Sequence, residues 1–376
     1  MTPVPFTDLV AMADDVWPSI EKDYRACLLS GAYVGGSAVT SFEREWAAYC
    51  GADYAVGVAN GTDALELTLT ALGVGPGDQV IVPANTFIAT AAAVVRVGAA
   101  PRFADVSDDT LLMTPSTLAE AITPRTRAVI VVHLFGQVPD MPGILRAASD
   151  AGIPVIEDAA QAHGAEWDGQ RAGSFSEAAC FSFYPAKNLG AFGDAGAVVT
   201  SRPELAERVR TLANHGRSSG TSHYEHEHVG TNSRLDALQA IVLSGKLAQL
   251  DTWTQRRIEL ATRYRALLGG TDVKLTGVAP SARHVYHLFV VRVAGRDSVR
   301  AELARRGIQT GVHYPVPCHR QPPLQRFADR PLPVAERAAG QLLSLPMFPH
   351  LTDSQVDYTC EALGHVTAGS ELIDAW

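Results

Sequence analysis

From Ala55 onward, short apolar runs alternate with longer segments in which apolar residues recur at helical spacing. Two such pairs are AVGVAN followed by GTDALELTLTALG, and DQVIVPANTF followed by IATAAAVVRVG. Three further predicted strands are APRFADV, RAVIVVHLFG and IPVIEDAA. Runs that are apolar on both faces are typical of a parallel sheet covered by helices, so this part of the chain predicts an α/β fold. Ligands bind beyond the carboxyl ends of strands in such sheets, so the polar residues after each run are the site candidates.

A second α/β pattern begins near Asp251. The segment RDSVRAELARRG has helical spacing and lies between two predicted strands, YHLFVVRV and IQTGVHYP. The proline-rich residues 315–333 interrupt regular structure. We therefore predict a large cofactor-binding domain over residues 1–250, whose N-terminal segment is able to pack on a small C-terminal domain over residues 251–376. One helix-like stretch, SRLDALQAIVLSGKLAQLDTWTQRRIELATRYRALL, runs across that boundary and leaves its position open.

Composition and charge narrow the function classes. The 376 residues are 47% hydrophobic and 19% charged, which is typical of a folded globular protein and too apolar for a disordered one. The net charge is −9 without a run of Lys or Arg. This argues against binding to nucleic acid or to an anionic membrane, and we expect small-molecule partners.

The cysteines and the N-terminal residues indicate the cellular compartment of the protein. The five cysteines are scattered without a C-x-x-C pair, which predicts reduced thiols rather than a disulfide frame or a zinc site. The start of the sequence lacks the pattern of a signal peptide, and no apolar run approaches about 20 residues. We therefore expect a cytoplasmic protein.

Lys187 stands alone between an aromatic run and a set of glycines, in the segment CFSFYPAKNLGAFGDAG. A lone loop lysine is usually a solvated surface group. A lysine held away from water beside a cofactor instead has a lowered pKa, and its neutral amine forms a Schiff base with an aldehyde such as pyridoxal phosphate (PLP). Asp158 directly follows a predicted strand and would keep a pyridine nitrogen protonated, although an Asp there often only caps a helix. Strand alternation sends the neighbouring Glu157 to the opposite side.

Other segments supply the remaining groups that PLP would need. At residues 60–63, NGTD, a predicted strand passes into a helix, where free N–H groups and the positive helix end bind phosphate. Thr62 serving only as a helix cap explains that segment equally well. Ser182 is a further phosphate candidate, and Gln161 would hydrogen-bond the ring hydroxyl. Phe87 would stack on the ring, although such a phenylalanine is more often part of the core.

Taken together, a series of motifs resembles the DegT/DnrJ/StrS family of PLP-dependent nucleotide-sugar aminotransferases. In chain order the motifs are GAYVGGSAVTSFEREWAAYCGADYAVGVANGTDAL, VPANTFIATAAAV, VVHLFGQ, VIEDAAQAHGA, SFYPAKNLGAFGDAGAVVT, GTNSRLDALQA, GVHYPVPCHRQPP and SLPMFPHL. The series spans most of the chain, and its order is far more specific than any single motif.

The resemblance implies fold type I of the PLP enzymes, in which the large domain holds a mainly parallel seven-stranded sheet between helices and a smaller α/β domain follows. It implies that PLP is bound covalently to Lys187, with pyridoxamine phosphate as an intermediate, and that Lys187 and Asp158 are the catalytic residues. The implied cofactor contacts are Gly61, Thr62, Phe87, Asp158, Gln161, Ser182, Lys187 and, from the neighbouring subunit, Asn232. We therefore expect a homodimer with shared active sites.

The segments KNLGAFGDAG and HYPVPCHRQPP resemble the branch of this family that aminates C3 of nucleotide-linked keto sugars. The resemblance implies transfer from L-glutamate to a dTDP-linked 3-keto-6-deoxyhexose, in aminosugar biosynthesis for an antibiotic or a surface glycan. The candidate substrate contacts are Tyr184, His215, Arg217, Arg234, His313 and Tyr314. Alternatives are a C4-keto-sugar or cyclitol aminotransferase and, outside the enzymes, a PLP-binding regulator. Ala195 and Cys318 depart from the family pattern, and Cys318 is expected to alter the shape of the sugar pocket.

The segment HGRSSGTSHYEHEHVG brings His215, His223, His226 and His228 together with two glutamates. These side-chain types suit zinc, but the segment lacks a helical pair of ligands at i and i+4. We expect an active-site flap at this position and no metal site.

Overall fold

The computed structural model describes residues 3–218 and 224–370. The strands are β1 (Tyr54–Val58), β2 (Gln79–Pro83), β3 (Ala100–Ala104), β4 (Thr126–Val132), β5 (Val155–Asp158), β6 (Glu166–Trp167), β7 (Gln170–Arg171), β8 (Ala178–Ser182), β9 (Gly196–Thr200), β10 (Lys274–Leu275), β11 (Ala282–Arg283), β12 (Phe289–Arg292) and β13 (Leu342–Leu345). The α-helices are α1 (Leu9–Ser30), α2 (Ser37–Cys50), α3 (Gly61–Ala71), α4 (Ala89–Arg96), α5 (Pro115–Ala119), α6 (Met141–Asp150), α7 (Pro203–Ala213), α8 (Ala237–Leu247), α9 (Leu250–Leu268), α10 (Arg296–Arg305), α11 (Pro333–Ala339) and α12 (Asp353–Ser370).

The larger sheet has seven described strands in the order β1-β9-β8-β5-β4-β2-β3. The neighbours β8, β5, β4, β2 and β3 are parallel, whereas β9 runs antiparallel to both β8 and β1. This mainly parallel sheet confirms the predicted fold class. The strands are short, and the connections from β2 to β3, from β3 to β4 and from β4 to β5 each contain a helix, whereas the connection from β5 to β8 contains β6 and β7 instead.

Alternate residues of β4 pack into two separate hydrophobic clusters. Ala128, Ile130 and Val132 belong to one cluster, and Val129 and Val131 belong to the other. Successive side chains of a strand point to opposite faces, so both faces of the sheet are covered. This double burial explains why the sequence of β4 is apolar without alternation.

A second, three-stranded sheet, β10-β12-β13, lies in the C-terminal part of the chain and packs with α9, α10 and α12. Val4 forms a parallel bridge with Ile308, so the N-terminal segment contacts this part. The boundary between residues 250 and 251 stays a prediction. A further small sheet, β11-β6-β7, lies beside the large one.

Two local predictions for the C-terminal part differ from the structure. The helix-like stretch is divided at Ala248 and Gln249, which separate α8 from α9. The predicted strand IQTGVHYP was wrong, because only Ile308 and Gly311 of this segment form bridges, each with a different partner. A Cβ at Gly311 would lie 2.7 Å from the His313 ring, so the chain bends here and the segment does not extend as a strand.

Across residues 3–218 and 224–370, no helix combines the length and the apolar composition that crossing a lipid bilayer requires.

Candidate active site

The carboxyl ends of β2, β4, β5 and β8 border a cavity of about 650 Å³. The sequence-predicted residues that line it are Gly61, Thr62, Phe87, Asp158, Gln161, Ser182, Tyr184, Lys187, His313 and Tyr314. The first eight come from the residues around the large sheet, and the last two come from the C-terminal part. The cavity therefore joins segments that lie up to about 250 residues apart in the sequence.

Asp158 ends β5 with only 6% of its surface exposed. Its Oδ2 accepts a hydrogen bond from Thr90 Oγ1 at 2.7 Å, and its Oδ1 accepts one from the Ala160 N–H at 3.2 Å. Burial raises the pKa of Asp158, and the two hydrogen bonds and the Lys187 charge oppose that effect. No Lys, Arg or His in the described ranges forms an ion pair with it. Asp158 is thus a buried carboxylate that a cation in the cavity would stabilise.

Glu157, the neighbour of Asp158, points to the other side of the sheet, as predicted. Its side chain is fully buried and accepts hydrogen bonds through both oxygens. The partners are His133 Nε2 at 2.8 Å, the Gly173 N–H at 2.8 Å, the Phe175 N–H at 3.1 Å and Ser176 Oγ at 3.0 Å. These four partners occupy the Glu157 carboxylate away from the cavity.

Lys187 lies in the segment between β8 and β9, where its backbone N–H donates to the Tyr184 carbonyl at 2.8 Å. Burial lowers the pKa of Lys187 to about 8, and the Asp158 charge opposes this effect. Nζ makes no hydrogen bond to any residue that the structure describes. A substantial fraction of the side chain is therefore a neutral amine near pH 8, which is the nucleophilic form.

Three imidazoles interact with the Lys187 charge, and burial lowers the pKa of each. The pKa falls to about 3 for His163, to about 4 for His313, and well below its usual range for His287. His163 Nε2 is 3.0 Å from the Ser182 carbonyl, and His313 Nδ1 is 2.8 Å from Ser344 Oγ. These rings are neutral at pH 7 and add no positive charge to the cavity.

Gln161 is held from both ends of its amide. Its Oε1 accepts from the Phe135 N–H at 2.7 Å, and its Nε2 donates to the Tyr314 hydroxyl at 3.1 Å. The Tyr314 ring lies 5.8 Å from the Phe87 ring, and Phe87 is 57% exposed at the cavity. Phe87 is therefore not a core residue in this chain, and a flat ligand has access to its ring.

The N-terminus of α3 presents free backbone donors to the cavity. Asn60 is the helix cap, because its Oδ1 accepts from the Asp63 N–H at 2.8 Å. The N–H groups of Gly61 and Thr62 make no hydrogen bond within the described part of the chain. A Cβ at Gly61 would lie 2.7 Å from Ser182 Cβ, so a glycine is required for β8 to approach this turn closely. Free donors at a helix start bind anions.

His215, Arg217, Arg234 and Asn232 lie together, but they do not line this cavity. Arg217 Nη2 and Arg234 Nη1 approach the same atom, Asn214 Oδ1, at 3.4 Å and 3.3 Å. Asn232 forms an isolated antiparallel bridge with Asn214, and His215 is exposed beside them. The chain thus gathers these polar residues on a separate part of its surface.

Sequence reasoning assigned no individual role to three polar groups of this site, although one of them, Asp63, lies in the segment predicted to bind phosphate. Thr90 Oγ1 donates to Asp158. Asp63 lines the cavity beside the free N–H groups at the start of α3, and Asp194 also lines the cavity. Thr90 also lies 2.6 Å from Thr86 Oγ1. The available signal was the pair of hydroxyls at i and i+4 in the otherwise apolar segment TFIATAAAVV.

The two departures from the family pattern lie behind the cavity wall. Cys318 is buried, and its Sγ donates to the Thr86 carbonyl at 2.7 Å. It contacts a lining residue without itself lining the cavity in the described structure. Ala195 is also buried, and its carbonyl accepts from the Phe183 N–H at 2.8 Å. All five cysteines are free thiols.

The described residues contain no group of three His, Cys, Asp or Glu side chains placed to hold a metal ion. His226 Nδ1 lies 2.8 Å from the His215 carbonyl, so this imidazole contacts backbone. His223, another histidine of the segment HGRSSGTSHYEHEHVG, lies outside the described residues.

Comparison with known proteins connects this geometry to one family. The profile of the DegT/DnrJ/EryC1/StrS aminotransferase family matches residues 16–364. A dTDP-3-amino-3,4,6-trideoxy-alpha-D-glucose transaminase of Streptomyces venezuelae is 48% identical over 355 residues, which cover 94% of this chain and 93% of that protein. The crystal structure of S. venezuelae DesV in complex with a ketimine intermediate superposes with a TM-score of 0.94 at 47% identity, over 97% of this chain and 98% of that one. The structure of NtdA from Bacillus subtilis with bound cofactor PMP gives 0.91 at 33% identity, over 98% and 86%.

Proposed function

This chain belongs to the DegT/DnrJ/EryC1/StrS aminotransferase family, and we propose that it transfers the amino group of L-glutamate to C3 of a dTDP-linked 3-keto-6-deoxyhexose. The chain is an aminotransferase whose cofactor is PLP, the form that alternates with the pyridoxamine phosphate (PMP) bound by its structural relative. The observation that carries the proposal is the cavity that unites Lys187, Asp158 and the free N–H groups of α3.

The residues of the cavity fit PLP at three points. Asp158 is a buried anion without a cationic partner in the described chain, which suits a protonated pyridine nitrogen. Lys187 has an amine of lowered pKa, which suits the aldehyde. The free donors of Gly61 and Thr62, with the Ser182 hydroxyl opposite, suit a phosphate.

When bound, PLP supplies an aldehyde carbon that takes up an amino group and a pyridine ring that withdraws electrons. Lys187 Nζ holds the cofactor between turnovers. When free, the same amine would take a proton from the substrate carbon and deliver it to the former aldehyde carbon of the cofactor, because its pKa near 8 lets it act as a base and as an acid. Asp158 would hold the proton at the ring nitrogen, and Thr90 fixes Asp158 Oδ2 in place.

The other cofactor contacts orient the ring. Gln161 Nε2 has one N–H left besides the one that it donates to Tyr314, and this N–H would donate to the hydroxyl oxygen of the PLP ring. Phe87 would stack on the ring, and Ser182 would bind the phosphate. We assign Asn232 to the phosphate site of a second copy of the chain, which makes the enzyme a homodimer. Support for this is that Asn232 is exposed and lies away from the cavity of its own chain.

The acceptor assignment rests on the relatives and on the cavity. The S. venezuelae relative is a dTDP-3-amino-3,4,6-trideoxy-alpha-D-glucose transaminase, and His313, Tyr314 and Tyr184 line the cavity and are available to contact a hexose. Within the described lining, Lys187 is the sole Lys or Arg, so the diphosphate of the acceptor needs cations from elsewhere. We assign that role to His215, Arg217 and Arg234 in the shared site of the homodimer. We therefore propose that this chain is a cytoplasmic enzyme of aminosugar biosynthesis, for an antibiotic or a surface glycan.

The test is the absorbance spectrum of the enzyme with PLP, before and after L-glutamate. We expect the visible band of PLP attached to the protein to appear in the wild type and to be lost on adding L-glutamate, and we expect Lys187→Ala to show neither change. Lys246→Met is the matched control, since Lys246 is 2% exposed with a pKa lowered by burial to about 8 but does not line the cavity. This variant should behave as the wild type.

The position of amination is read by NMR of the product after supplying 3-keto and 4-keto dTDP-sugars and a cyclitol ketone. Amination at C3 supports the proposal, whereas exclusive amination at C4 or of the cyclitol replaces the acceptor. A spectrum that shows bound PLP but ignores L-glutamate and every acceptor would favour the PLP-binding regulator instead.

A further inference from the structure

Ser233 bridges the two sides of the turn that carries the free donors of α3. Its side chain is fully buried, and its Oγ accepts from the Ala59 N–H at 3.1 Å. The same hydroxyl donates to Asp63 Oδ2 at 2.7 Å. Ala59 directly follows β1, and Asp63 lies in the first turn of α3. One hydroxyl, from a residue 170 positions further along the chain, therefore ties the strand end to the helix start.

Asp63 is an unexpected neighbour for an anion site. It lines the same cavity as Gly61 and Thr62, and its carboxylate would repel a phosphate. It also occupies the third helical position. From there an acidic side chain commonly reaches back to the backbone N–H of the cap residue, here Asn60, beside the N–H groups of Gly61 and Thr62.

The hydrogen bond from Ser233 prevents that reach. Asp63 Oδ2 is directed to the Ser233 hydroxyl, while the Asp63 N–H is already occupied by Asn60 Oδ1. The N–H groups of Gly61 and Thr62 have no intrahelical acceptor at a helix start and make no other hydrogen bond in the described chain. Without the Ser233 hydroxyl, the carboxylate would turn toward these donors, compete with a ligand for them and add its charge to the site.

We propose that Ser233 is a positioning residue of the cofactor site, whose hydroxyl holds the Asp63 carboxylate away from the free donors of α3 and so keeps them available to the PLP phosphate. The inference rests on the proposed phosphate role of this end of the cavity. Ser233 acts through Asp63 and does not itself touch the cofactor.

The experiment measures the dissociation constant of PLP by titrating the apoenzyme and following absorbance. A charge placed at a helix N-terminus changes binding by about twofold to fivefold, so Ser233→Ala should weaken PLP binding by about that factor. Asp63→Asn removes the charge and should bind PLP at least as tightly as the wild type. The double variant Ser233→Ala/Asp63→Asn should regain the wild-type affinity, because no carboxylate is left to compete.

Pyridoxal, which lacks the phosphate, is the second probe. Ser233→Ala should bind pyridoxal as the wild type does, since only the phosphate end has changed. Two results would overturn the inference: wild-type PLP affinity in Ser233→Ala, or a double variant as weak as Ser233→Ala alone. The second result would mean that the loss comes from the Ala59 contact and a loosened turn. A wild-type enzyme that fails to bind PLP would instead overturn the proposed function.

Discussion

Thr90→Val tests how the ring-nitrogen site is held. The substitution keeps the shape of the side chain but removes the hydroxyl that donates to Asp158 Oδ2 at 2.7 Å. Asp158 then retains only the longer bond from the Ala160 N–H. Because burial already raises the pKa of Asp158 and the Thr90 bond lowers it, the pKa must rise in the variant.

The size of the effect follows from the burial of the pair. A hydrogen bond to a charged group contributes about 1.5–3 kcal/mol, and Asp158 is only 6% exposed, so water does not replace the lost donor. Since about 1.4 kcal/mol corresponds to one pH unit, the pKa of Asp158 should rise by about one to two pH units. The carboxylate then competes more strongly for the proton of the ring nitrogen, and the half-reaction with L-glutamate should slow by about tenfold.

The assay is stopped-flow absorbance of that half-reaction as a function of pH. In Thr90→Val the acidic limb of the profile should move to higher pH by about one unit, because Asp158 is protonated earlier on acidification. Thr68→Val is the matched control, since Thr68 is equally buried but contacts Cys180 Sγ at 3.4 Å and not Asp158. Equal profiles for Thr90→Val and the wild type would refute the reasoning, as would the same displacement in Thr68→Val.

Three further predictions concern the same cavity. Because burial raises the pKa of Asp158 above its unfolded value, apoenzyme stability falls as pH rises through the folded pKa. In thermal scans without cofactor, Asp158→Asn should therefore melt at a higher temperature than the wild type at pH 8 and lose this advantage at pH 4; an equal difference at both pH values would contradict the reasoning. Covalent attachment of PLP to Lys187, trapped by borohydride, should rise with pH around a midpoint near 8, and the midpoint should fall in Asp158→Asn because the Asp158 charge raises the pKa of Lys187; an unchanged midpoint would contradict this coupling. Gly61→Ala places a Cβ 2.7 Å from Ser182 Cβ, so it should lower the free energy of unfolding in urea by about 1–3 kcal/mol and weaken PLP binding. Gly364→Ala in α12 is the control, since no atom lies near the added Cβ and the protein should not be destabilised.

The sequence was sufficient to predict three of the four strands at the cavity edge, β2, β4 and β5, and the residues that follow them. Asp158 lies at the end of a predicted strand, and parallel strands place their carboxyl ends at one edge of a sheet. The strand β8 before Lys187 was not among the predicted strands. Glu157 could be assigned to the opposite side by alternation alone. These inferences needed only local periodicity, which the sequence displays directly.

The contacts that hold these residues were not predictable in the same way. Thr90 reaches Asp158 across 68 positions, and Ser233 reaches Asp63 across 170. Whether a serine or threonine hydroxyl meets a distant carboxylate depends on how two elements pack, and periodicity does not report it. The same limit applies to Arg217 and Arg234, because periodicity does not show that both approach Asn214 Oδ1, and their role at the substrate stays a prediction.

Glu157 and Asp158 are adjacent in the sequence, but different requirements favour them: the fold requires Glu157, and cofactor binding requires Asp158. The Glu157 carboxylate is fully engaged by four donors inside the fold, so any descendant that keeps this architecture must keep it, whatever reaction it performs. Asp158 carries a burial cost that its two hydrogen bonds and the Lys187 charge offset only in part, so a descendant that no longer binds the cofactor would gain stability by losing this carboxylate. Among proteins of this fold, one that retains Glu157 but has another residue in place of Asp158 is therefore expected to keep the fold and to have lost the PLP-dependent reaction.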